Sequence, residues 1–145
     1  MTHQDAGHYR AKHPTDTKLD PKIAEAIRLK AVDGRITCAA AHEIAGKLNV
    51  SPADVGVVID LLEMRLKKCQ LGLFGYGAQK NAVKPAQRVP PELQEAIKGS
   101  LVNNRISCNS CWEIAERFGI HKIDVSAACE ALQVRISSCQ LGAFQ

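Results

Sequence analysis

The chain is an internal duplication. When its 145 residues are shifted against themselves by 70 positions, residues 19–75 align with residues 89–145 without a gap, and 20 of the 57 aligned pairs are identical. The longest identical stretches are Glu-Ile-Ala at 43–45 and 113–115, and Cys-Gln-Leu-Gly at 69–72 and 139–142. A gapless match of this length identifies two copies of one structural unit, so the fold of the chain is built twice.

The duplication divides the chain into four segments. We predict a flexible N-terminal arm at 1–18, a first repeat at 19–75, a linker at 76–88 and a second repeat at 89–145. The formal net charge is +4, and most of it lies in the linker, which contains Lys80, Lys84 and Arg88 and no acid. The repeats are therefore nearly neutral, which is a weak form of the basic surface expected of a nucleic-acid-binding protein.

The first part of each repeat contains clear helix start signals. Pro21 and Pro91 suit the first turn of a helix, because proline lacks the N–H that would have no partner there. Thr37 and Ser107 are favourable N-caps for a second helix, and each follows a short extended Arg-Ile segment. The pattern predicts the order helix, short extended piece, helix, helix, strand in each repeat.

The end of each repeat predicts the strand. Apolar and polar residues alternate over 64–71 and again over 134–141, which is typical of a half-buried strand. We expect each strand to pair with the short Arg-Ile-Thr or Arg-Ile-Ser segment of its own repeat. The fold class that follows is mainly α with short β-strands.

The middle of each repeat carries a helix-turn-helix pattern. The first copy reads Glu43-Ile44-Ala45-x-x-Leu48-Asn49-Val50-Ser51-x-x-x-Val55, and the second reads Glu113-Ile114-Ala115-x-x-Phe118-Gly119-Ile120-x-x-x-x-Val125. The small Ala lets two helices cross closely, and Asn or Gly accepts a left-handed turn. This pattern resembles the helix-turn-helix of winged-helix transcription regulators. The resemblance implies two tandem winged-helix-like modules.

The resemblance also implies a DNA partner, with the third helix of each repeat in the major groove. In the first repeat the outward positions of that helix offer Ala53, Gly56 and Val57 with two acids, and no side chain suited to base contacts. Cations elsewhere are then the candidates for phosphate contacts with double-stranded DNA: Arg65, Lys67, Lys68, Lys80, Lys84, Arg88 and Lys122. A simpler role for these lysines is to protect an exposed strand edge and to keep the linker solvated.

The small residues of the third helices suggest a different use. Ala, Gly and Val allow close approach of another helix, so this face could pack against the other repeat or against a partner protein. The candidate residues for such a surface are Ala53, Gly56, Val57, Ser126 and Ala127. An adaptor for protein–protein interaction is therefore the alternative to a DNA-associated protein.

The cysteines recur with the repeat. Cys38 and Cys69 align with Cys108 and Cys139, and a possible third ligand lies one helical turn after the first cysteine of each pair. The two candidate sets for a metal or redox site are Cys38, His42, Cys69 and Cys108, Cys111, Cys139. Such ligands suit zinc or an iron–sulfur cluster, whereas buried cysteines also pack as small apolar residues. Core packing, a metal site and a redox disulfide all remain open at this point.

Further sequence features concern activity and location. No carboxylate pair recurs beside a His or Cys in both repeats, so we expect no enzyme. The chain has no apolar run of the ~20 residues that would span a membrane and no apolar leader segment, so we expect a cytoplasmic protein. The leading hypothesis is a DNA-associated transcriptional regulator that senses metal or redox state through its paired cysteines. The alternatives are the adaptor and a small zinc or iron–sulfur protein.

Overall fold

The computed structural model describes residues 7–77 and 83–145. The first repeat contains α1 (Pro21–Lys30), β1 (Arg35–Thr37), α2 (Cys38–Leu48), α3 (Pro52–Leu61) and β2 (Arg65–Lys67). The second contains α4 (Pro91–Gly99), β3 (Arg105–Ser107), α5 (Cys108–Phe118), α6 (Lys122–Ala131) and β4 (Arg135–Ser137). The fold is mainly helical with short strands, and both repeats have the predicted order of elements. Within the described ranges, no helix has both the length and the apolar character needed to cross a membrane.

The helices begin where their capping residues predict. The Thr37 side chain accepts a hydrogen bond from the backbone N–H of Ala40 at the start of α2, and Ser107 accepts one from Ser110 at the start of α5. These bonds satisfy N–H groups that have no partner inside the helix. Pro21 and Pro91 stand at the first positions of α1 and α4, as expected. The start signals in the sequence are therefore confirmed.

The turn between the second and third helices also follows the sequence. Asn49 ends α2 with φ of 53°, and Gly119 ends α5 with φ of 64°. Both are left-handed conformations that Gly and Asn adopt most readily. The helix-turn-helix pattern thus predicts the local geometry of this turn correctly.

The strands form two short parallel ladders. Arg35, Ile36 and Thr37 are in register with Arg65, Leu66 and Lys67, and β3 and β4 pair in the same way. The predicted pairing is confirmed, but the strands predicted over 64–71 and 134–141 are too long. Lys68 and Ser138 have φ of 52° and 56°, which turns the chain out of the ladder directly after the third residue.

The chain folds into two compact units that do not coincide with the two repeats. Unit 1 runs to Cys69 and includes Gln140–Phe144, whereas unit 2 is Gln70–Cys139 with Gln145. From the sequence we predicted that residues 70–75 belong to the first repeat and residues 140–145 to the second. The structure instead places each Cys-Gln-Leu-Gly segment, after its cysteine, with the helices of the other repeat. We call residues 140–144 the C-terminal segment.

In unit 1 the C-terminal segment packs on α3. A Cβ atom at Gly56 would collide with the backbone of Leu141, whose carbonyl carbon lies 2.7 Å from that position. Leu141 is buried, as are Val55 and Ile59 of α3. Gly56 therefore provides the space into which the C-terminal segment fits.

Residues 9–12 are also packed within unit 1. Tyr9–Lys12 forms a 3-10 helix, and the Tyr9 side chain is only 1% exposed. The backbone N–H groups of Tyr9 and Arg10 donate to the Glu63 carboxylate at 3.0 and 2.7 Å. The flexible arm predicted for residues 1–18 is thus wrong for this part of the segment, because a buried aromatic ring and fixed hydrogen bonds hold it in place.

In unit 2 the end of the linker takes a comparable place. The backbone N–H of Ala86 donates to the carbonyl of Ala127 on α6 at 3.0 Å. A Cβ at Gly72 would lie 2.8 Å from a Val83 methyl and 2.9 Å from an Ile123 methyl, so these side chains pack closely around Gly72. The described part of the predicted linker is therefore partly packed on a helix.

Candidate nucleic-acid interface

The third helix of the first repeat is largely covered. Gly56 is buried under Leu141, Val57 is half-buried, and only Ala53 among the predicted partner-surface residues of α3 is exposed. Since the C-terminal segment already occupies this face, α3 cannot present it to DNA or to a partner helix in this structure. This face of α3 packs instead on Leu141, a residue of the other repeat.

The third helix of the second repeat gives the same result. Ser126 is 2% exposed and Ala127 is half-buried, and the carbonyl of Ala127 accepts the hydrogen bond from Ala86. The exposed residues of α6 include Asp124 and Glu130, which would repel phosphate. The predicted partner surface on Ser126 and Ala127 is therefore occupied or buried as well.

The parallel ladders present paired arginines to solvent. Arg35 and Arg65 are register partners in unit 1, and both are exposed, whereas Ile36 and Leu66, one position further on, are buried. Residues in register on neighbouring strands lie on the same face, about 4.8 Å apart. The two guanidinium groups therefore extend from the same face of the ladder.

An exposed valine continues this line of residues. The backbone groups of Val32 and Arg35 exchange two hydrogen bonds, of 2.8 and 3.0 Å, across a two-residue turn. The turn residues Asp33 and Gly34 both have positive φ, of 51° and 71°, as a tight hairpin turn requires. A directly opposed pair of this kind shares one face, so Val32, Arg35 and Arg65 form a single row.

Unit 2 contains the same arrangement. Arg105 and Arg135 are register partners, and Val102 exchanges two backbone hydrogen bonds with Arg105. All three side chains are exposed. We refer to Val32, Arg35 and Arg65, and to Val102, Arg105 and Arg135, as the Val-Arg-Arg rows.

The guanidinium groups of the rows differ from other exposed cations in their surroundings. Among the residues that the structure describes, none of these four arginines has a carboxylate partner. By contrast, Lys47 and Lys30 both pair with Glu43, at 3.1 and 3.4 Å, and their hydrogen bonds lower the pKa of Glu43 from its ordinary value of 4.5. Within the described ranges, the row arginines therefore differ from Lys30 and Lys47, which are engaged in ion pairs.

The other predicted phosphate contacts have different environments. Lys68, Lys84 and Arg88 are exposed, and Lys67 is half-buried on β2. The ammonium group of Lys122 lies 4.3 Å from the centre of the Trp112 ring, where a cation–π interaction engages it. Lys80 lies outside the described residues.

Sequence reasoning selected only one of the four row arginines, Arg65. It missed Arg35, Arg105 and Arg135, although each stands at an exposed strand position that is identical in both repeats. The signal that could have identified them is this identity at polar positions, each next to an apolar residue of the ladder: Ile36, Leu66 and Ile106 are buried and Ile136 is half-buried. The register that places the arginines side by side is visible only in the structure.

The cysteines are mostly core residues. Cys38, Cys69, Cys108, Cys111 and Cys129 are buried, and Cys139 is half-buried; none of the six forms a disulfide. In the described part of the chain, no three His, Cys, Asp or Glu side chains are arranged to hold a metal ion. Within the described residues, neither Cys38, His42 and Cys69 nor Cys108, Cys111 and Cys139 forms such a three-ligand group.

One thiol pair of unit 2 lies across two helices. Cys111 of α5 is within hydrogen-bonding reach of Cys129 of α6, and this bond together with burial raises the pKa of Cys111 well above its ordinary range. The aligned residues of the first repeat are Ala41 and Ile59, which are also buried. The pair therefore occupies a position that is apolar core in the first repeat.

The comparisons with known proteins found no match, whether to a protein-family model, to a curated protein or to a solved structure.

Proposed function

We propose that this protein is a non-enzymatic, DNA-associated binding protein that contacts the sugar–phosphate backbone through its strand ladders. The observation that carries the proposal is the exposed register pair of arginines, Arg35 with Arg65, which recurs as Arg105 with Arg135. The proposal includes the role of transcriptional regulator and the winged-helix resemblance. It assigns the DNA contact to the strand ladders rather than to the third helices.

The chemistry of the pair favours phosphate. A guanidinium group offers a planar set of N–H donors that matches two phosphate oxygens, and it keeps its charge at any physiological pH. Two unit charges of like sign repel one another by about 1 kcal/mol at 4 Å in water, and an anion bound between two guanidinium groups offsets such repulsion. A polymer with one negative charge per nucleotide can supply an anion to each unit.

The mode of binding differs from base recognition by a helix. Gly56 and Ser126 are buried, so the third helices do not offer a surface for the major groove. Contacts to phosphate position a protein on DNA but carry no sequence information directly. We therefore expect affinity that depends strongly on salt and only weakly on sequence.

The test is duplex binding measured by fluorescence anisotropy over a range of salt concentrations. The Arg65→Ala/Arg135→Ala variant should bind a random duplex more weakly. The negative slope of log K against log salt should become smaller in magnitude by about 2, one for each lost phosphate contact. The matched control is Arg28→Ala/Lys98→Ala, which removes two exposed cations at aligned positions on α1 and α4.

Comparison of the ladder variant with the control variant distinguishes the possible outcomes. A lower slope in the ladder variant with little change in the control supports contacts at the ladders. Equal losses in both variants would mean that only net charge matters. No binding of the unaltered protein to duplex DNA would overturn the proposed function.

A further inference from the structure

Each arginine pair is accompanied by an exposed valine. Val32 is 61% exposed in unit 1, and Val102 is 72% exposed in unit 2. A single exposed apolar residue is ordinary on a protein surface. Here, however, the same residue stands in both repeats, although the turn that follows it is Asp33-Gly34 in one and Asn103-Asn104 in the other. The identity of Val32 and Val102 therefore indicates a requirement for valine that does not come from the turn.

We propose that each Val-Arg-Arg row is a site for one sugar–phosphate unit of duplex DNA. In this site the two arginines bind the phosphate and the valine contacts the apolar edge of the adjoining deoxyribose. The inference rests on the proposed function and specifies which part of the nucleotide each side chain contacts.

The spacing of the row supports this assignment. Directly opposed residues on paired strands have Cβ atoms about 5 Å apart, so Val32 lies beside Arg35, and Arg35 lies beside Arg65. In DNA each phosphate is covalently joined to the deoxyribose on either side, so apolar sugar carbons lie within a few bonds of the charged oxygens. A charged contact and an apolar contact can therefore be made by neighbouring parts of one nucleotide.

The two kinds of contact differ in their response to salt. Arginine–phosphate contacts release counterions, so their loss changes the slope of affinity against salt. Burial of a valine methyl group removes apolar surface from water and does not involve counterions. The role of the valine can thus be separated from that of the arginines in a single titration.

The experiment compares Val32→Thr/Val102→Thr with the unaltered protein, using a fluorescein-labelled random duplex. Threonine keeps the branched shape and the strand preference of valine but replaces one methyl group with a hydroxyl group. We expect affinity to fall on the order of tenfold for the two sites together, with an unchanged salt slope. Leu29→Ala is the control, since Leu29 is 81% exposed and lies outside the row.

The outcomes distinguish the inference from the proposed function. If the threonine variant binds as tightly as the unaltered protein while Arg65→Ala/Arg135→Ala binds weakly, the sugar contact is overturned and the proposed function stands. If neither variant weakens binding, both fail. Equal weakening by Leu29→Ala, or a lower salt slope in the threonine variant, also overturns the sugar contact. The single variants Val32→Thr and Val102→Thr, checked by circular dichroism, give the same comparison if the double variant does not fold.

Discussion

The backbone of Leu141 lies directly against the Cα atom of Gly56, so the C-terminal segment is packed on a helix of the first repeat. A glycine in a helix interior ordinarily destabilises the helix by about 1 kcal/mol relative to alanine. Its presence in α3 has a tertiary reason, since any side chain at this position would displace Leu141. The same contact covers the face of α3 that the sequence suggested for a partner.

Replacing Gly56 with alanine should therefore destabilise the protein. The added methyl group meets backbone rather than a movable side chain, so we expect a loss of about 1–3 kcal/mol in the free energy of unfolding, measured in urea. Gly46→Ala is the matched control, because Gly46 lies in α2 with no atom near its missing Cβ. The control should be neutral or stabilising by up to about 1 kcal/mol. A stabilising Gly56→Ala would show that the C-terminal segment does not occupy this place in solution.

The buried carboxylate of Asp60 should be important for unit 1. It is 1% exposed and accepts from His13 Nε2 at 2.7 Å, with Lys12 Nζ at 3.3 Å. Asp60→Asn removes the charge that holds both side chains, and we expect it to lower the free energy of unfolding by about 1.5–3 kcal/mol. Glu130→Gln, at the aligned exposed position of α6, should change it by less than about 0.5 kcal/mol. Similar effects of the two variants would contradict a special role for the N-terminal contact.

The pKa of Glu43 should depend on its two lysine partners. Because hydrogen bonds from Lys47 and then Lys30 lower the pKa of Glu43 below 4.5, the ionised form is favoured in the folded state. The contribution to stability is thus present above the unfolded pKa and is lost as the pH falls through the folded pKa. In an NMR titration, Lys47→Ala should move the pKa of Glu43 upward toward 4.5, and Lys30→Ala should move it less. The opposite order would mean that the Lys30 contact dominates.

The thiols should differ in their accessibility. Cys139 is half-buried and the other five are buried, so iodoacetamide should modify Cys139 first in the native protein and all six in denaturant. Mass spectrometry of peptides measures the order of modification. Cys139→Ser should leave the native protein nearly unreactive. Rapid modification of Cys38 or Cys108 would instead indicate that the helix N-termini open and expose these thiols.

Much of the fold was predictable because its signals are local. The N-caps Thr37 and Ser107 and the left-handed residues Asn49 and Gly119 act within a few residues of their own helices. Their effect does not depend on what packs above them, so a single sequence contains enough information. The candidate site was only partly predictable, since Arg65 was selected and its partner Arg35 was not.

By itself, the sequence determined the duplication, the order of elements and the helix boundaries near their caps. Only the tertiary structure decided the ladder register, the burial of the cysteines and the exchange of the segments that follow Cys69 and Cys139. The physical reason is degeneracy: both segments read Cys-Gln-Leu-Gly, so local sequence cannot specify which repeat receives which leucine. The choice depends on packing between residues distant in the chain, such as Leu141 on Gly56.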